Sequence, residues 1–493
     1  MSHMDRNAID DQARAVLERL HGETLTPKAR MTIPVQEMPT QTPEERRNNM
    51  MEVATGYTRD QAMIEAQRCL QCKNAPCVAG CPVRVDIPGF IARTREGDFA
   101  AAAAIIRRTN LLPTICGRVC PQEKQCQMPC TVGKALGGTD KAVQIGRLER
   151  FVADTARAEG KDSVPSVSGS TGRRVAVVGA GPAGLTCAVD LRRQGHEVVV
   201  FEAFHKAGGV MVYGIPEFRL PKALVAREAG ALESMGVQFE MNYLVGRTRK
   251  LSALLSEDGF DAAFIGSGAG LPKFMDIPGE NLVGVFSANE YLTRANLMKA
   301  YDRERAATPI YPSRRVAVLG GGNVAMDSAR MAIRLGAEEV HVLYRRTREE
   351  MPARGEEVIH AGEEGVVFDF LKSPTRVLGD DTGRVAALEV LSYELGEPDA
   401  SGRRKPVPVR GSEAIVPFDT VIVAVGNESN PLISKTTPEL KVDAHGHILV
   451  DEKQKTSIER VYAGGDIVLG AATVILAMGE GRRAAAAINE VLQ

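Results

Sequence analysis

Nine cysteines stand in the sequence, and eight of them fall between Cys69 and Cys130, with Cys187 alone outside. They form two runs, Cys69-x2-Cys72-x4-Cys77-x3-Cys81-Pro82 and Cys116-x3-Cys120-Pro121-x4-Cys126-x3-Cys130. Clustering of this kind points to metal before packing. Close spacing with Cys-Pro steps suits iron–sulfur ligation, in which one cysteine of a run serves the other cluster. Tetrahedral zinc is the competing reading, because thiolates bind it as well. Disulfides fit poorly with a chain that reads as cytosolic, where thiols are kept reduced.

Two glycine loops carry the second kind of chemistry. Val175–Val178 is a short apolar run that suits a buried parallel strand, and it leads directly into Gly179-Ala180-Gly181-Pro182-Ala183-Gly184. Gly179 permits the tight turn, Gly181 lets the backbone approach a pyrophosphate, and Gly184 lets the following helix pack close to the strand. The helix N-terminus then offers free amides to the phosphates. A second strand, Glu197–Phe201, ends at Glu202, a carboxylate placed to accept hydrogen bonds from both ribose hydroxyls of an adenosine.

About 140 residues later the arrangement repeats, as Val316–Leu319 followed by Gly320-Gly321-Gly322-Asn323-Val324-Ala325. Here Gly320, Gly322 and Ala325 occupy the three key positions, and Tyr344-Arg345-Arg346 stands where the first unit has Glu202. An acid would repel a 2′-phosphate, whereas Arg345 and Arg346 can pair with it, so this unit is expected to take NADP(H) over NAD. A solvated basic strand end is the plainer alternative.

The final segment fits the first unit. Gly465-Asp466 places a carboxylate at a strand end for a flavin's ribityl chain. A helix starting near Thr473 would aim its positive end at the flavin's pyrimidine edge and favour the anionic reduced form. Gly266-Ser267-Gly268 and Gly426 look like crossings between two nucleotide domains. The first unit is therefore assigned FAD. A flavin beside the cysteines needs a one-electron outlet, which zinc cannot supply. A disulfide-reductase reading lacks its cysteine pair, since only Cys187 lies in the flavin half.

These pieces give an α/β class: an N-terminal helical domain for two iron–sulfur clusters, then two Rossmann-like domains. The expected divisions are an arm over 1–45, an iron–sulfur domain over 46–160, an FAD domain over 172–310 and 415–493, and an NADP domain inserted at 311–414. Short helices are expected at Asp11–Leu20 and Phe99–Ile106, and a Ser/Pro/Gly linker at Asp162–Ser170. With 493 residues and a net charge of −1, the chain is long enough for several domains and lacks a basic field for nucleic acid. No apolar run spans a membrane, and the start, Met1-Ser2-His3-Met4-Asp5-Arg6, is not an apolar signal; a soluble, cytoplasmic protein is expected.

Together with the two cysteine runs, the first glycine loop, Ala207–Lys222 and Tyr344–Pro352, the chain resembles the glutamate synthase small-subunit family from about Pro34 onward. Relatives of that family include the N-terminal half of dihydropyrimidine dehydrogenase and the large subunit of a flavin-bifurcating NADH-dependent ferredoxin:NADP oxidoreductase. The resemblance implies one [4Fe–4S] cluster on Cys69, Cys72, Cys77 and Cys130. It implies a second on Cys81, Cys120, Cys126 and Glu149, leaving Cys116 unused. It also implies that Gly208, Gly209, Tyr213, Gly214, Ile215 and Pro216 line the flavin, and that the Glu149 cluster lies nearer to it. No protein acid or base is needed, because hydride passes from NADPH to FAD and electrons then leave singly. Arg46–Glu52 and Gly56-Tyr57 resemble the bifurcating subgroup and the sulfide dehydrogenase large subunit; the former implies a small flavoprotein partner, with FAD and an iron–sulfur cluster, and ferredoxin. The second reading is electron input to a glutamate synthase large subunit. The third is a structural metal module that only docks a partner.

Overall fold

The computed structural model describes residues 6–20, 22, 24–162, 164–398 and 402–493. Residues 1–5, at the start considered above, and Ser163 of the expected linker lie outside the described residues.

The N-terminal third is built from short helices, including Arg59–Gln67, Ile87–Arg95, Phe99–Arg107, Pro113–Val119 and Ile145–Ala158. Their starts are written into the sequence. Thr58 and Gln61 form a reciprocal capping box, while Asp86 and Asp98 accept hydrogen bonds from the Gly89 and Ala101 amides. Their inward faces bring Phe90, Ile91, Ile106, Ile115 and Leu148 into one core. The first helix begins earlier than expected, running Arg6–Leu20.

Two five-stranded parallel sheets follow. The first has the order Val461–Ala463, Ala262–Ile265, Arg174–Val178, Glu197–Phe201, Gln238–Glu240. The second has Val285–Ser287, Thr420–Val423, Arg315–Leu319, Glu339–Tyr344, Val367–Phe370. Register is equivalent in both: Val178 pairs with Phe201 and Leu319 with Leu343, so each glycine loop leaves its sheet at the same level. Val175–Val178 and Val316–Leu319 are buried throughout, as strands covered on both faces must be.

Strand membership differs from the expected divisions. Val285–Ser287 and Thr420–Val423 pair into the second sheet, although they lie on the first-domain side of 310 and 415. The second unit also carries an unanticipated antiparallel sheet of Lys372–Gly379, Val385–Pro398, Arg404–Pro408 and Ala414–Pro417. The two crossings between units run side by side, with Leu271–Pro272 pairing Asn427–Glu428 just beyond Gly268 and Gly426.

The units dock by different means. The C-terminal helix Val474–Leu492 packs along Pro182–Arg193 and reaches the iron–sulfur region, where Met478 Sδ meets Cys116 Sγ at 3.6 Å. The second unit is held by buried ion pairs. Arg219 binds Asp327 at 2.7 Å and Glu357 at 3.0 Å, and Arg330 pairs with Glu357 and, at 2.7 Å, Glu364. Arg46, from the N-terminal region, adds pairs to Glu364 at 3.0 Å and Glu363 at 2.6 Å. Among the described residues no helix is long and apolar enough to cross a membrane.

Candidate functional site

A cavity of about 720 Å³ opens between the two nucleotide units. From the first unit it is lined by Gly179, Gly181, Pro182, Ala183, Glu202, Gly209, Tyr213, Gly214, Ile215, Gly268, Gly465, Asp466 and Thr473. Gly184, Gly208 and Pro216 do not line it. Gly184 serves packing, since a Cβ there would lie 1.9 Å from the Gly179 carbonyl oxygen. Gly209 adopts φ 55° and comes so near Gly181 that a Cβ would sit 2.9 Å from its Cα. A Cβ on Gly181 would meet only open space, and the helix it begins has no side-chain cap. That leaves an amide-rich terminus facing the cavity, as a pyrophosphate requires.

The carboxylates are held, not free. Glu202 is buried and accepts from the Ala180 amide at 2.8 Å and the Phe204 amide at 2.9 Å. Burial raises its pKa while those amides lower it. Burial pushes Asp466 up to about 6, against a hydrogen bond from the Ala472 amide. Sequence reasoning missed Glu480, which accepts from Gly465 N at 2.7 Å behind Asp466. It also missed the supports of the Tyr213–Leu220 loop. Asn296 donates to the carbonyls of Tyr213 at 3.2 Å and Gly214 at 3.1 Å, and Lys222 Nζ donates to those of Ile215 at 2.5 Å and Leu220 at 2.7 Å. Lys222 closes the Ala207–Lys222 stretch, whereas Glu480 and Asn296 belong to no local motif; the fold sets all three against residues that line the cavity.

From the second glycine loop, Asn323 and Val324 reach the same cavity, whereas Gly320, Gly322, Ala325, Arg345 and Arg346 do not line it. Gly322 begins the Asn323–Arg334 helix, again without a side-chain cap. The structure separates the arginine pair. Arg345 is exposed at the end of its strand, while Arg346 is buried, its Nε donating to the Arg404 carbonyl at 2.8 Å.

The cysteines fall into two groups. Cys69, Cys72, Cys77 and Cys130 line one small apolar pocket with Ile87, Ile91, Val132 and Val143. Burial pushes Cys77 up to about 12, helped by Cys69 and Cys130. Cys81, Cys120 and Cys126 gather around Glu149, whose charge adds to the upward shift of all three. Burial pushes Cys81 up to about 11 and Glu149 up to about 7, the latter against a 2.6 Å hydrogen bond from Asn110 Nδ2. Cys116 is buried beside Cys120, between Asn110 and Met478. Among the described residues no three His, Cys, Asp or Glu side chains are placed to hold a single metal ion. Thiolates spread around a multi-iron cluster need not meet at one point.

The second group adjoins the flavin-side cavity. Val119 and Pro121, flanking Cys120, form part of its wall. Gln125, beside Cys126, donates at 3.2 Å to the hydroxyl of Thr473, the N-cap of Val474–Leu492.

Two family models match this organisation: dihydropyrimidine dehydrogenase domain II, 4Fe-4S cluster, over residues 46–161, and pyridine nucleotide-disulphide oxidoreductase over 173–489. FprA of Mycobacterium tuberculosis, solved in complex with NADPH, shares the fold, with 21% identity and a TM-score of 0.53 over 65% of this chain and 83% of that one. The protein is thus an oxidoreductase that joins an iron–sulfur domain to a pyridine-nucleotide flavoprotein fold.

The glutamate synthase [NADPH] small chain of Halomonas elongata is 40% identical over 91% of this chain and 94% of that protein. That of Escherichia coli is 38% identical over 91% and 95%. The chain belongs to this glutamate synthase small-chain family. The NADP(+)-dependent formate dehydrogenase subunit beta of Moorella thermoacetica is also similar, 38% identical over 85% of this chain but 60% of its own length.

Proposed function

We propose that the chain is an NADPH-oxidising subunit that binds FAD in its first nucleotide unit, NADPH in its second, and two [4Fe–4S] clusters in its N-terminal domain. One observation supports this most: a single cavity takes in residues of both nucleotide units and is walled by the residues on either side of Cys120. Nicotinamide, flavin and an iron–sulfur centre can therefore be close neighbours. When bound, these groups supply hydride transfer to the flavin and single-electron exit through the clusters.

The chain's own part is to bind, orient and insulate. The amides after Gly181 receive the pyrophosphate, Glu202 accepts ribose hydroxyls, and Asp466 accepts from the ribityl chain. Asn296 and Lys222 hold the Tyr213–Ile215 backbone, which would line the flavin. Arg345 meets the 2′-phosphate; Arg346 shapes the strand end behind it. Cys69, Cys72, Cys77 and Cys130 hold one cluster, and Cys81, Cys120, Cys126 and Glu149 the other. The donor sets fit: the Cys77, Cys81, Cys120 and Cys126 thiols stay protonated alone, and clustered iron would provide the positive charge that favours thiolates. Anaerobically purified protein is expected to hold one FAD and about eight irons. Four irons, or zinc in their place, would defeat the two-cluster reading.

The electrons go on to a partner subunit. Near full-length correspondence with glutamate synthase small chains supports a glutamate synthase large subunit as that partner. A bifurcating assembly with a small flavoprotein and ferredoxin is the second reading, favoured by the arm's resemblance to that subgroup. In the structure two charges of the Arg46–Glu52 segment turn inward, with Arg46 on Glu363 and Glu364, and Glu52 on Arg118 and Arg150. Copurification decides: a large amidotransferase chain supports the first reading, a small flavoprotein the second.

A further inference from the structure

A short segment of the second nucleotide unit, Pro352-Ala353-Arg354, is clamped between two sites that the chemistry keeps apart. On one side it is tied to the second glycine loop. Ala353 N donates to the Gly321 carbonyl at 3.2 Å, and Arg354 N donates at 2.9 Å to Oδ1 of Asn323, which lines the shared cavity. On the other side it is tied to the loop around Cys120. The Arg354 guanidinium donates at 2.9 Å to the Arg118 carbonyl and at 3.2 Å to Gln122 Oε1. Lys124 Nζ donates at 2.6 Å to the Pro352 carbonyl. Gln122 passes the contact on, its amide lying 3.3 Å from the Cys116 carbonyl.

Arg354 is 8% exposed, so its charge acts across protein and not across water. Its neighbours are acidic: Glu356 lies 3.1 Å from one guanidinium nitrogen and Glu123 3.8 Å from Nε. The backbone amide thus reports on the nucleotide loop while the side chain reaches the cysteine site.

We propose that Arg354 is a positioning residue that couples the second nucleotide loop to the Cys120 site, so that nucleotide binding and reduction of the cluster there influence one another. This rests on the reading that Cys81, Cys120, Cys126 and Glu149 hold a cluster. Such linkage is reciprocal: the factor by which nucleotide changes the reduction equilibrium is the factor by which reduction changes nucleotide affinity.

Redox titration of the loaded protein, followed by electron paramagnetic resonance, tests it. The probe is 2′,5′-ADP, which carries both phosphates of the adenosine half and is redox-silent. In the wild-type protein, saturating 2′,5′-ADP should change the reduced-to-oxidised ratio of one cluster at a fixed potential by about threefold or more. Arg354→Gln should lower that ratio on the order of threefold to tenfold, through loss of a buried positive charge, and abolish the effect of 2′,5′-ADP. Arg354→Lys should restore the ratio but not the nucleotide effect, because an ammonium cannot span both oxygen acceptors in the same geometry. The other cluster should titrate alike in all three proteins.

Titrations of Arg354→Gln that superimpose on wild type, with and without nucleotide, would overturn the proposal. If Arg354→Gln loses iron, Arg354→Lys decides, and a wild-type nucleotide effect in that loaded variant overturns it. A wild-type protein showing one cluster signal instead of two removes the underlying reading, and this inference with it. Two signals with no Arg354 effect remove the inference alone.

Discussion

The two nucleotide units share a sheet order, a loop register and an uncapped helix after the glycines, yet they are fastened to the rest of the molecule differently. The first shares one buried apolar core with the iron–sulfur helices, reached through Val474–Leu492, whose Met478 meets Cys116. The second turns charge inward on the helix after its glycines, where Asp327 and Arg330 are buried and paired with Arg219, Glu357 and Glu364. Burial alone would raise Glu357 and Glu364, but Arg219 and Arg330 hold the first, and Arg330 and Arg334 the second, at about 2. Apolar packing is tolerant of direction, whereas a bidentate ion-pair network fixes one. The contrast explains how one unit can be a platform and the other an aligned lid over a common cavity.

The largest effect should come from breaking that network. Glu364→Ala strips Arg334 of its buried ion-pair partner and Arg330 and Arg46 of one partner each, and is expected to cost about 3–5 kcal/mol, measured by urea unfolding with FAD fluorescence reporting the first unit separately. Loss confined to the second unit sharpens the contrast; equal loss of both units breaks it. Next comes Glu202→Ala, which strands two amides and removes the ribose acceptor. It should weaken FAD binding on the order of 100-fold, about 3 kcal/mol, in a flavin titration of the apoprotein, without affecting nicotinamide-nucleotide affinity.

Arg345→Ala should lower the preference for NADPH over NADH about tenfold, in keeping with loss of one charge-assisted hydrogen bond. Arg346→Ala should leave that ratio unchanged, because its guanidinium is already committed to Arg404. Equal effects of the two changes in the ratio of kcat/KM values would restore the view of a paired phosphate clamp.

The smallest effect is a pH dependence. Asp466 is raised in the FAD-free fold from its unfolded value of 3.8 to about 6, so its contribution to stability is present below about 4 and lost as pH rises through 6. Ribityl hydroxyls that donate to the carboxylate favour its ionised form. FAD should therefore bind more tightly at pH 7 than at pH 5, by up to about tenfold, and Asp466→Asn should flatten the dependence.

Sequence pattern reached those parts of the site that depend on local geometry. Gly179, Gly181 and Gly184 are dictated by one turn, Glu202 directly follows its strand, and Asp466, expected at a strand end, opens the short helix Asp466–Leu469. The fold sorts the cysteines into two groups, Cys69, Cys72, Cys77 and Cys130 around one pocket and Cys81, Cys120 and Cys126 near Glu149. The remainder depends on tertiary contact. Val285–Ser287 is three residues long and becomes a strand only by pairing with Thr420–Val423. Arg346 differs from Arg345 only through the overlying antiparallel sheet. Glu480, Asn296, Lys222 and Arg354 act on residues from 7 to more than 200 positions away, a distance at which no spacing rule operates.

Anaerobic rapid mixing with NADPH, followed by flavin absorbance and freeze-quenched electron paramagnetic resonance, tests the central claim most directly. The account predicts that the flavin band bleaches first and cluster signals follow. Cys120→Ser should keep FAD and its bleaching by NADPH while losing the onward transfer. Clusters that stay oxidised beside a fully reduced flavin in the wild-type protein, or onward transfer undiminished in Cys120→Ser, would contradict it.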